Sequence, residues 1–172
     1  GSGSLHKLLN SYGWIESLSA GAGAIDRTNS SMNVSISLTK EGSLYVPEIT
    51  SLLFQYIEML ENQKPLEWLY NEQAIVANLA FEFQEKTGAL QYVSRLAPNL
   101  QYYPPEEIIT SSYLMNQFDA ELISDLVSYL TRDNVLIEVI SPEVPTENIE
   151  KWFEVPYTLK KNHIDLSLLQ TD

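Results

Sequence analysis

Polar and apolar residues alternate strictly between Ser31 and Thr39. The apolar positions are Met32, Val34, Ile36 and Leu38, and every residue between them is polar. Because a period of two places successive side chains on opposite faces of a strand, we expect one face to meet a core and the other to meet water. The preceding residues 15–23 are rich in small side chains and are predicted to form the neighbouring antiparallel strand.

Apolar residues recur at helical spacing through most of the chain beyond Glu41. A short helix is also predicted before the strands, over residues 5–12, because Ser4 is a favourable N-cap and Gly13 a favourable stop. The later predicted helices span 46–62, 65–87 and 90–100, with one beginning at Glu106 and one capped by Asp119. The buried side of the last helix is predicted to consist of Leu122, Ile123, Leu126, Val127 and Leu130.

The segment 134–140 is apolar nearly throughout and is predicted to be a strand deep in the sheet. The prediction is therefore an α+β fold, mainly an antiparallel sheet covered on one face by several amphipathic helices, over residues 1–145. Three strands are few for so many helices, so we expect this fold to lack strands on its N-terminal side. Residues 146–172 show no clear period and are predicted to be an irregular tail or linker.

Charge and composition exclude several classes of partner and site. A formal net charge of −13 over 172 residues argues against nucleic acid, whose phosphates would be repelled. No apolar run approaches the length of a membrane span, so no membrane partner is predicted. The chain has no cysteine, which excludes disulfides and thiolate metal ligands.

Three groups of residues suggest a catalytic or nucleotide-binding site, but each lacks a feature that the site requires. The string from Gly21 to Asp26 begins like a dinucleotide fingerprint, yet it lacks the third glycine and a strand follows it instead of a helix. His6 and His163 belong to no zinc-binding motif of the H-E-x-x-H or H-x-x-E-H type. Glu106 and Glu107 are adjacent and would not face each other on a helix. The residues alone therefore predict no catalytic machinery and no metal ligands.

Several strings, taken in order, resemble the pitrilysin and insulin-degrading enzyme family of zinc metallopeptidases. Gly1-x-Gly3-Ser4-Leu5 with Gly13-Trp14 is similar to the family's G-P-G-S-L-L…K-G-W, and Leu38-Thr39-x-Glu41-Gly42 matches its L-T-x-E-G. The similarity extends to four further strings: Phe54-Gln55-Tyr56-Ile57, Glu67-Trp68, Tyr102-Tyr103-Pro104-x-Glu106-Glu107-x-Ile109 and Lys151-Trp152-Phe153.

The resemblance implies a parent enzyme of four similar α+β domains that enclose a chamber, with zinc and the H-x-x-E-H motif in the first. This chain resembles the non-catalytic second domain, truncated at its N-terminus, so no cofactor is expected in the chain itself. The family strand that corresponds to Leu18, Ser19, Ala20, Gly21 and Ala22 is an exosite where substrate N-termini add as a strand. Leu18 and Gly21 match that motif, whereas Ser19 and Ala20 replace a valine and a glycine.

The resulting hypothesis is a substrate-binding exosite domain of a zinc-dependent metalloendopeptidase that holds peptides by strand addition. The alternative is a purely structural domain that closes the chamber or mediates assembly without peptide affinity. An autonomous hydrolase is disfavoured because zinc ligands are missing. The expected partners are peptide substrates, the other domains of the parent and a second copy of the chain through an exposed sheet edge. The residues do not indicate the cellular compartment. A bacterial periplasm is suggested by the family resemblance alone.

Overall fold

The protein is described by a computed structural model that covers residues 3–111, 113 and 115–160. Its helices are α1 (Leu5–Ser11), α2 (Val46–Glu61), α3 (Glu67–Glu82), α4 (Ala89–Leu96) and α5 (Ala120–Ser128), with 3-10 turns at Gly42–Leu44 and Ala97–Gln101. Its strands are β1 (Ile15–Ala24), β2 (Ser30–Leu38), β3 (Asn148–Ile149) and β4 (Pro156–Tyr157). The predicted α+β class is confirmed. Gly1 and His163, named above, lie outside the described residues.

The chain divides into two compact units. The first is formed by the described residues of Gly1–Ser19, Val34–Glu58 and Tyr129–Asp172. The second is formed by those of Ala20–Asn33 and Met59–Ser128.

Local chemistry sets both ends of α1 as predicted. The Ser4 hydroxyl accepts a hydrogen bond from the backbone N–H of Lys7 at 3.2 Å, which satisfies one of the free donors of the first turn. At the other end Gly13 adopts a φ of 72°, a left-handed conformation that glycine tolerates best. The N–H groups of Gly13 and Trp14 then donate to the carbonyls of Asn10 and Leu9. This paired return is a Schellman motif, and it leads the chain directly into β1.

The core of the first unit joins α1, the two long strands and α2. Leu9 is completely buried, and Leu5, Ile15 and Ile49 are nearly so. Partly buried side chains pack around these four: Trp14, Leu18, Ile36, Leu38, Tyr45, Leu52, Leu53 and Tyr56. The predicted alternation of β2 is confirmed over Val34–Leu38, where apolar residues are half-buried and serines exposed. Met32, by contrast, is exposed.

Two aromatic pairs and one hydrogen bond from a side-chain amide stabilise parts of the second unit. Tyr70 packs on Phe118 and Phe81 on Tyr113, with ring centroids 5.6 Å and 5.5 Å apart. The Asn99 side-chain amide donates to a backbone carbonyl in the turns that follow α4. Even so, α3, α4 and α5 contain no buried residue.

In the last third of the chain, one prediction of burial is wrong and a second is confirmed only in part. Residues 134–140 form no strand, and Leu136 and Ile140 are 84% and 89% exposed. On α5, Leu122 and Leu126 are more than half exposed, although Asp119 caps the helix as predicted by accepting from the Leu122 N–H. An apolar run marks surface that is suited to burial, but burial needs a partner from elsewhere in the fold. Residues 134–140 are exposed throughout, whereas Ile123, Val127 and Leu130, the other predicted residues of the last helix, are half-buried.

The helix predicted to begin at Glu106 is also absent from the structure. Residues 104–111 form hydrogen-bonded turns, in which the N–H of Glu107 donates to Pro104 and that of Thr110 to Glu107. These two bonds span three residues, and the Ser111 N–H donates to the Glu107 carbonyl four residues back at 2.7 Å. The described residues 105–111 and 113 are turns and not a continuous α-helix. Glu106 and Glu107 are both exposed there.

A small hairpin lies within the segment predicted to be irregular. β3 pairs with β4 in antiparallel register, with Asn148 opposite Tyr157 and Ile149 opposite Pro156. Between the strands, the Glu150 carboxylate accepts hydrogen bonds from the N–H groups of Trp152 and Phe153. The division of the chain at residue 145 stays a prediction.

Candidate functional site

The candidate site is the edge of β1 that does not face β2. One edge of β1 is paired with β2, and within residues 3–111, 113 and 115–160 no other strand pairs with it. An unpaired strand edge presents a row of backbone N–H and C=O groups at fixed spacing. The chemistry it offers is therefore hydrogen bonding to another extended backbone.

The five predicted site residues all lie in β1. Leu18 is half-buried and packs against the core of the first unit, whereas Ser19, Ala20, Gly21 and Ala22 are exposed. The strand is thus anchored at one end of this segment and accessible along the rest. Charged residues and proline on a sheet edge usually prevent another strand from pairing with it. Neither occurs from Leu18 to Gly23.

Gly23 extends the accessible strand beyond the predicted residues. It is exposed, and a Cβ built on either Gly21 or Gly23 would meet no atom within 4 Å. Neither glycine has a positive φ, so their backbones are ordinary extended chain. The sequence signal for Gly23 was its position two residues after Gly21, which puts both on one face of the strand.

A network of hydrogen bonds fixes the base of the β1–β2 hairpin. The Thr39 hydroxyl donates to the Gly13 carbonyl at 2.7 Å and accepts from the Gly42 N–H at 2.9 Å. The Thr39 N–H donates to the Trp14 carbonyl at 3.0 Å. The Trp14 ring stacks on Tyr45, with centroids 4.6 Å apart and planes 13° from parallel. These contacts explain the residues of the L-T-x-E-G string, since its threonine and glycine hold the two strands together.

A carboxylate organises the tip of the hairpin. Asp26 accepts hydrogen bonds from the backbone N–H groups of Thr28 and Asn29, both at 2.8 Å, and from the Asn29 side-chain amide. The Asn29 amide, followed by the two backbone donors and the Thr28 hydroxyl, lowers the pKa of Asp26 from 3.8 to about 2. The N–H of Ile25 donates to the Asn29 carbonyl and closes the turn. The tip is thus ordered by hydrogen bonds among its own residues.

The described residues also bear on the predictions about histidine and metal sites. His6 is exposed on α1, and among the described residues no three histidine, aspartate or glutamate side chains converge as a metal site. The donor set of a zinc ion is therefore not present in the part of the chain that the structure covers. No helix in that part is long and apolar enough to cross a membrane.

Comparisons with known proteins connect this geometry to a family. The sequence profile described as the middle or third domain of peptidase M16 matches residues 81–171. A nardilysin-like protein of Arabidopsis thaliana is 34% identical over 99% of this chain, and the insulin-degrading enzyme of Homo sapiens is 35% identical over 91%. The crystal structure of pitrilysin superimposes with a TM-score of 0.85 at 25% identity over 92% of the chain.

The chain spans only about one sixth of these relatives. It covers 17% of the nardilysin-like protein, 16% of the human enzyme and 17% of the pitrilysin chain. The matching profile describes a middle or third domain, which is consistent with a non-catalytic domain of a larger peptidase.

Proposed function

Because this chain belongs to the M16 family of peptidases, we propose that it is a substrate-binding domain that holds peptides by strand addition. The parent protein would be a zinc-dependent metalloendopeptidase, with the zinc and its ligands in another domain. The observation that carries the proposal is the exposed, unguarded edge of β1. The site would comprise Leu18, Ser19, Ala20, Gly21 and Ala22.

The mechanism follows from strand geometry. An extended peptide that lies beside β1 would exchange N–H···O=C bonds with alternate residues of the strand. The small side chains of Ser19 to Ala22 leave the approach of another backbone unobstructed. The contact of Leu18 with the core would keep the strand extended before binding, so that less ordering entropy opposes association.

The acidic charge of the chain bears on which peptides it would favour. A net charge of −13 attracts basic peptides and repels acidic ones over a distance set by the salt concentration. It would affect the association rate more than the geometry of the bound strand, because no charge lies on residues 18–23.

An NMR titration tests the proposal directly. The 15N-labelled 172-residue chain would be titrated with a long, extended, unstructured peptide. We expect amide shifts concentrated at residues 18–23. If no amide shifts, in a chain whose spectrum is that of a folded protein, the exosite proposal is wrong.

Proline substitutions add a test of the backbone mechanism. Adjacent residues of a strand direct their N–H groups to opposite edges, so of Ala20→Pro and Gly21→Pro one removes a donor from the open edge. We expect at least one of Ala20→Pro and Gly21→Pro to weaken peptide binding while circular dichroism shows the helices intact. Arg27→Pro, in the hairpin turn outside the site, is the matched control, and equal affinity for all three variants would count against strand addition.

A structural role is the second candidate, and the exposed helix surfaces favour it. One apolar stripe runs along the whole of α3 and is exposed: Trp68, Leu69, Ile75, Val76, Leu79 and Phe83. An exposed apolar patch of this extent is typical of an interface. The domain would then close the peptidase chamber or mediate assembly without peptide affinity. A folded chain that binds no peptide but binds the rest of the parent enzyme would support this alternative.

A further inference from the structure

We propose that residues 135–140, called the apolar segment below, bind a strand from a part of the parent peptidase outside these 172 residues. That strand would carry apolar side chains on both sides of one lysine or arginine. The apolar segment comprises other residues than the β1 edge, so its pairing does not depend on peptide binding there.

The apolar segment has the composition of a buried strand. Five of its six residues are apolar, four of these are β-branched, and Glu138 carries the only charge. β-Branched residues favour strands, and a short, nearly continuous apolar run is typical of a strand that is covered on both faces. Such strands lie inside sheets and not at the surface of a protein.

The structure gives this segment no strand partner. The ladders among the described residues join β1 to β2 and β3 to β4, and residues 135–140 belong to neither. Leu136 and Ile140 are 84% and 89% exposed. The apolar residues at the alternate positions are less exposed, at 46%, 38% and 43%: Val135, Ile137 and Val139. An alternation of this kind is that of an extended chain with one face partly covered and the other open.

Turns on both sides hold the ends of the apolar segment in place. Before it, the Asn134 N–H donates to the Thr131 carbonyl at 3.2 Å, and the Asn134 side-chain amide donates to the Tyr129 carbonyl at 3.0 Å. After it, the Ser141 hydroxyl accepts from the Glu143 N–H at 3.2 Å. A segment that is already ordered loses less conformational entropy on binding, so an extended backbone fixed at both ends is prepared to pair with another strand.

Glu138 determines the chemistry of the partner. Residues two apart in a strand share a face, so Glu138 lies on the open face between Leu136 and Ile140. Side chains directly opposite each other on paired strands interact, and opposite charges are favourable there while like charges are not. The partner strand would therefore place apolar side chains opposite the leucine and the isoleucine, and a basic side chain opposite the carboxylate.

A second copy of the chain does not supply this pattern. The apolar segment contains no lysine or arginine. In an antiparallel pair centred on Ile137, Glu138 of one copy would lie opposite Leu136 of the other, and in a parallel pair in register the two glutamates would be neighbours. The chain covers 17% of the nardilysin-like protein and 16% of the human enzyme. A parent of that length has most of its residues outside these 172, and we assign the partner strand to them.

Hydrogen exchange measured by mass spectrometry tests the pairing. The amides of residues 135–140 are compared in the 172-residue chain and in the full-length parent protein. We expect exchange about 100-fold slower in the parent, because the amides of a paired strand exchange only after it opens. The amides of α2 around the buried Ile49 are the internal control and should exchange slowly in both proteins.

Two peptides test the charge of the partner on the 172-residue chain. One is Thr-Val-Thr-Lys-Thr-Val-Thr, and the other has glutamate in place of the lysine. We expect NMR shifts at residues 135–140 and roughly two- to fivefold tighter binding of the lysine peptide. Glu138→Lys should reverse this preference. Glu85→Lys changes the net charge equally at another exposed position and should retain it.

Each contrary result identifies the step that is wrong. Equally fast exchange in both proteins overturns the pairing. Exchange in the 172-residue chain that slows as its concentration rises assigns the apolar segment to a second copy and overturns a partner from the parent. An unchanged preference in Glu138→Lys overturns the role of that carboxylate. Peptide shifts confined to residues 18–23 overturn the apolar segment as a binding surface and leave strand addition at β1 standing.

Discussion

Gly42 lies so close to the main-chain carbonyl of Trp14 that a Cβ at this position would overlap it. Gly42 is buried, and the same Trp14 carbonyl accepts the hydrogen bond of Thr39. The atoms that such a Cβ would meet belong to the Trp14 main chain, so they cannot move aside by a side-chain rotation. We therefore expect Gly42→Ala to lower the free energy of unfolding by about 1–3 kcal/mol, the usual range for overpacking.

Urea denaturation monitored by tryptophan fluorescence measures this loss. Gly23→Ala is the control, since a Cβ there meets nothing within 4 Å and Gly23 lies in ordinary extended backbone. Its effect should stay within about 0.5 kcal/mol. Equal stabilities for the two variants would contradict the close approach at Gly42.

The Thr39 hydroxyl is expected to contribute to the stability of the fold, although its side chain is only partly buried. Removal of the hydroxyl by Thr39→Val leaves the Gly42 N–H and the Gly13 carbonyl without this partner. We expect a loss of about 1–3 kcal/mol, because groups left unsatisfied in a partly buried site lose their hydration as well. Thr39→Ser retains the hydroxyl and should recover most of the stability in the same denaturation assay. A Ser variant as unstable as the Val variant would assign the effect to packing.

The fully buried Leu9 is the residue of the core whose truncation is expected to cost most. Leu9→Ala should lower the free energy of unfolding by about 2–5 kcal/mol, through lost burial and the cavity that remains. The neighbouring Leu8 is 39% exposed and provides a control of identical chemistry. Leu8→Ala should cost clearly less, and comparable losses would mean that the α1 face is assigned incorrectly.

The stability of the hairpin tip is expected to depend on pH through Asp26. The pKa of its carboxyl is depressed to about 2, so its contribution is present above the unfolded value of 3.8 and is lost as the pH falls toward 2. The carboxyl carbon shift of Asp26, followed by NMR, should titrate with a midpoint near 2. In Asn29→Ala the largest cause of the depression is removed, and the midpoint should rise. A midpoint near 3.8 in the wild-type chain would show that the turn is not formed as described.

Self-association through the open edge is a separate expectation. Two copies that pair along β1 would complete each other's hydrogen bonds, and sedimentation velocity should detect a concentration-dependent dimer. Ala20→Lys places a charge on this edge and should shift the equilibrium toward monomer. A wild-type chain that is monomeric at every concentration contradicts the prediction.

The elements predicted correctly are those that local chemistry determines. The Ser4 cap, the Gly13 stop and the alternation of Val34 to Leu38 all depend on residues near in sequence, and the structure contains each of them. Burial was predicted poorly because it depends on partners that are remote in sequence or lie outside this chain. Leu136 and Leu122 are apolar, yet both are exposed in the described structure.

The resemblance indicated residues 18–22 as an exosite strand. The structure shows that these residues lie in β1, and their role in binding stays a prediction. The sequence predicts that residues 15–23 form a strand beside the alternating β2, but it does not tell whether one or both edges of β1 are paired. The glycines were visible in the sequence, whereas the open space beside Gly21 and Gly23 required coordinates.

The core around Leu9 has a consequence for the order of events during folding. Every residue that packs in it lies between Leu5 and Tyr56, so the loops that must close are short. The segment that contains α1, the hairpin and α2 can therefore close its core before contacts distant in sequence form. In such an early intermediate the unpaired edge of β1 would already be presented while the later helices are still unfolded.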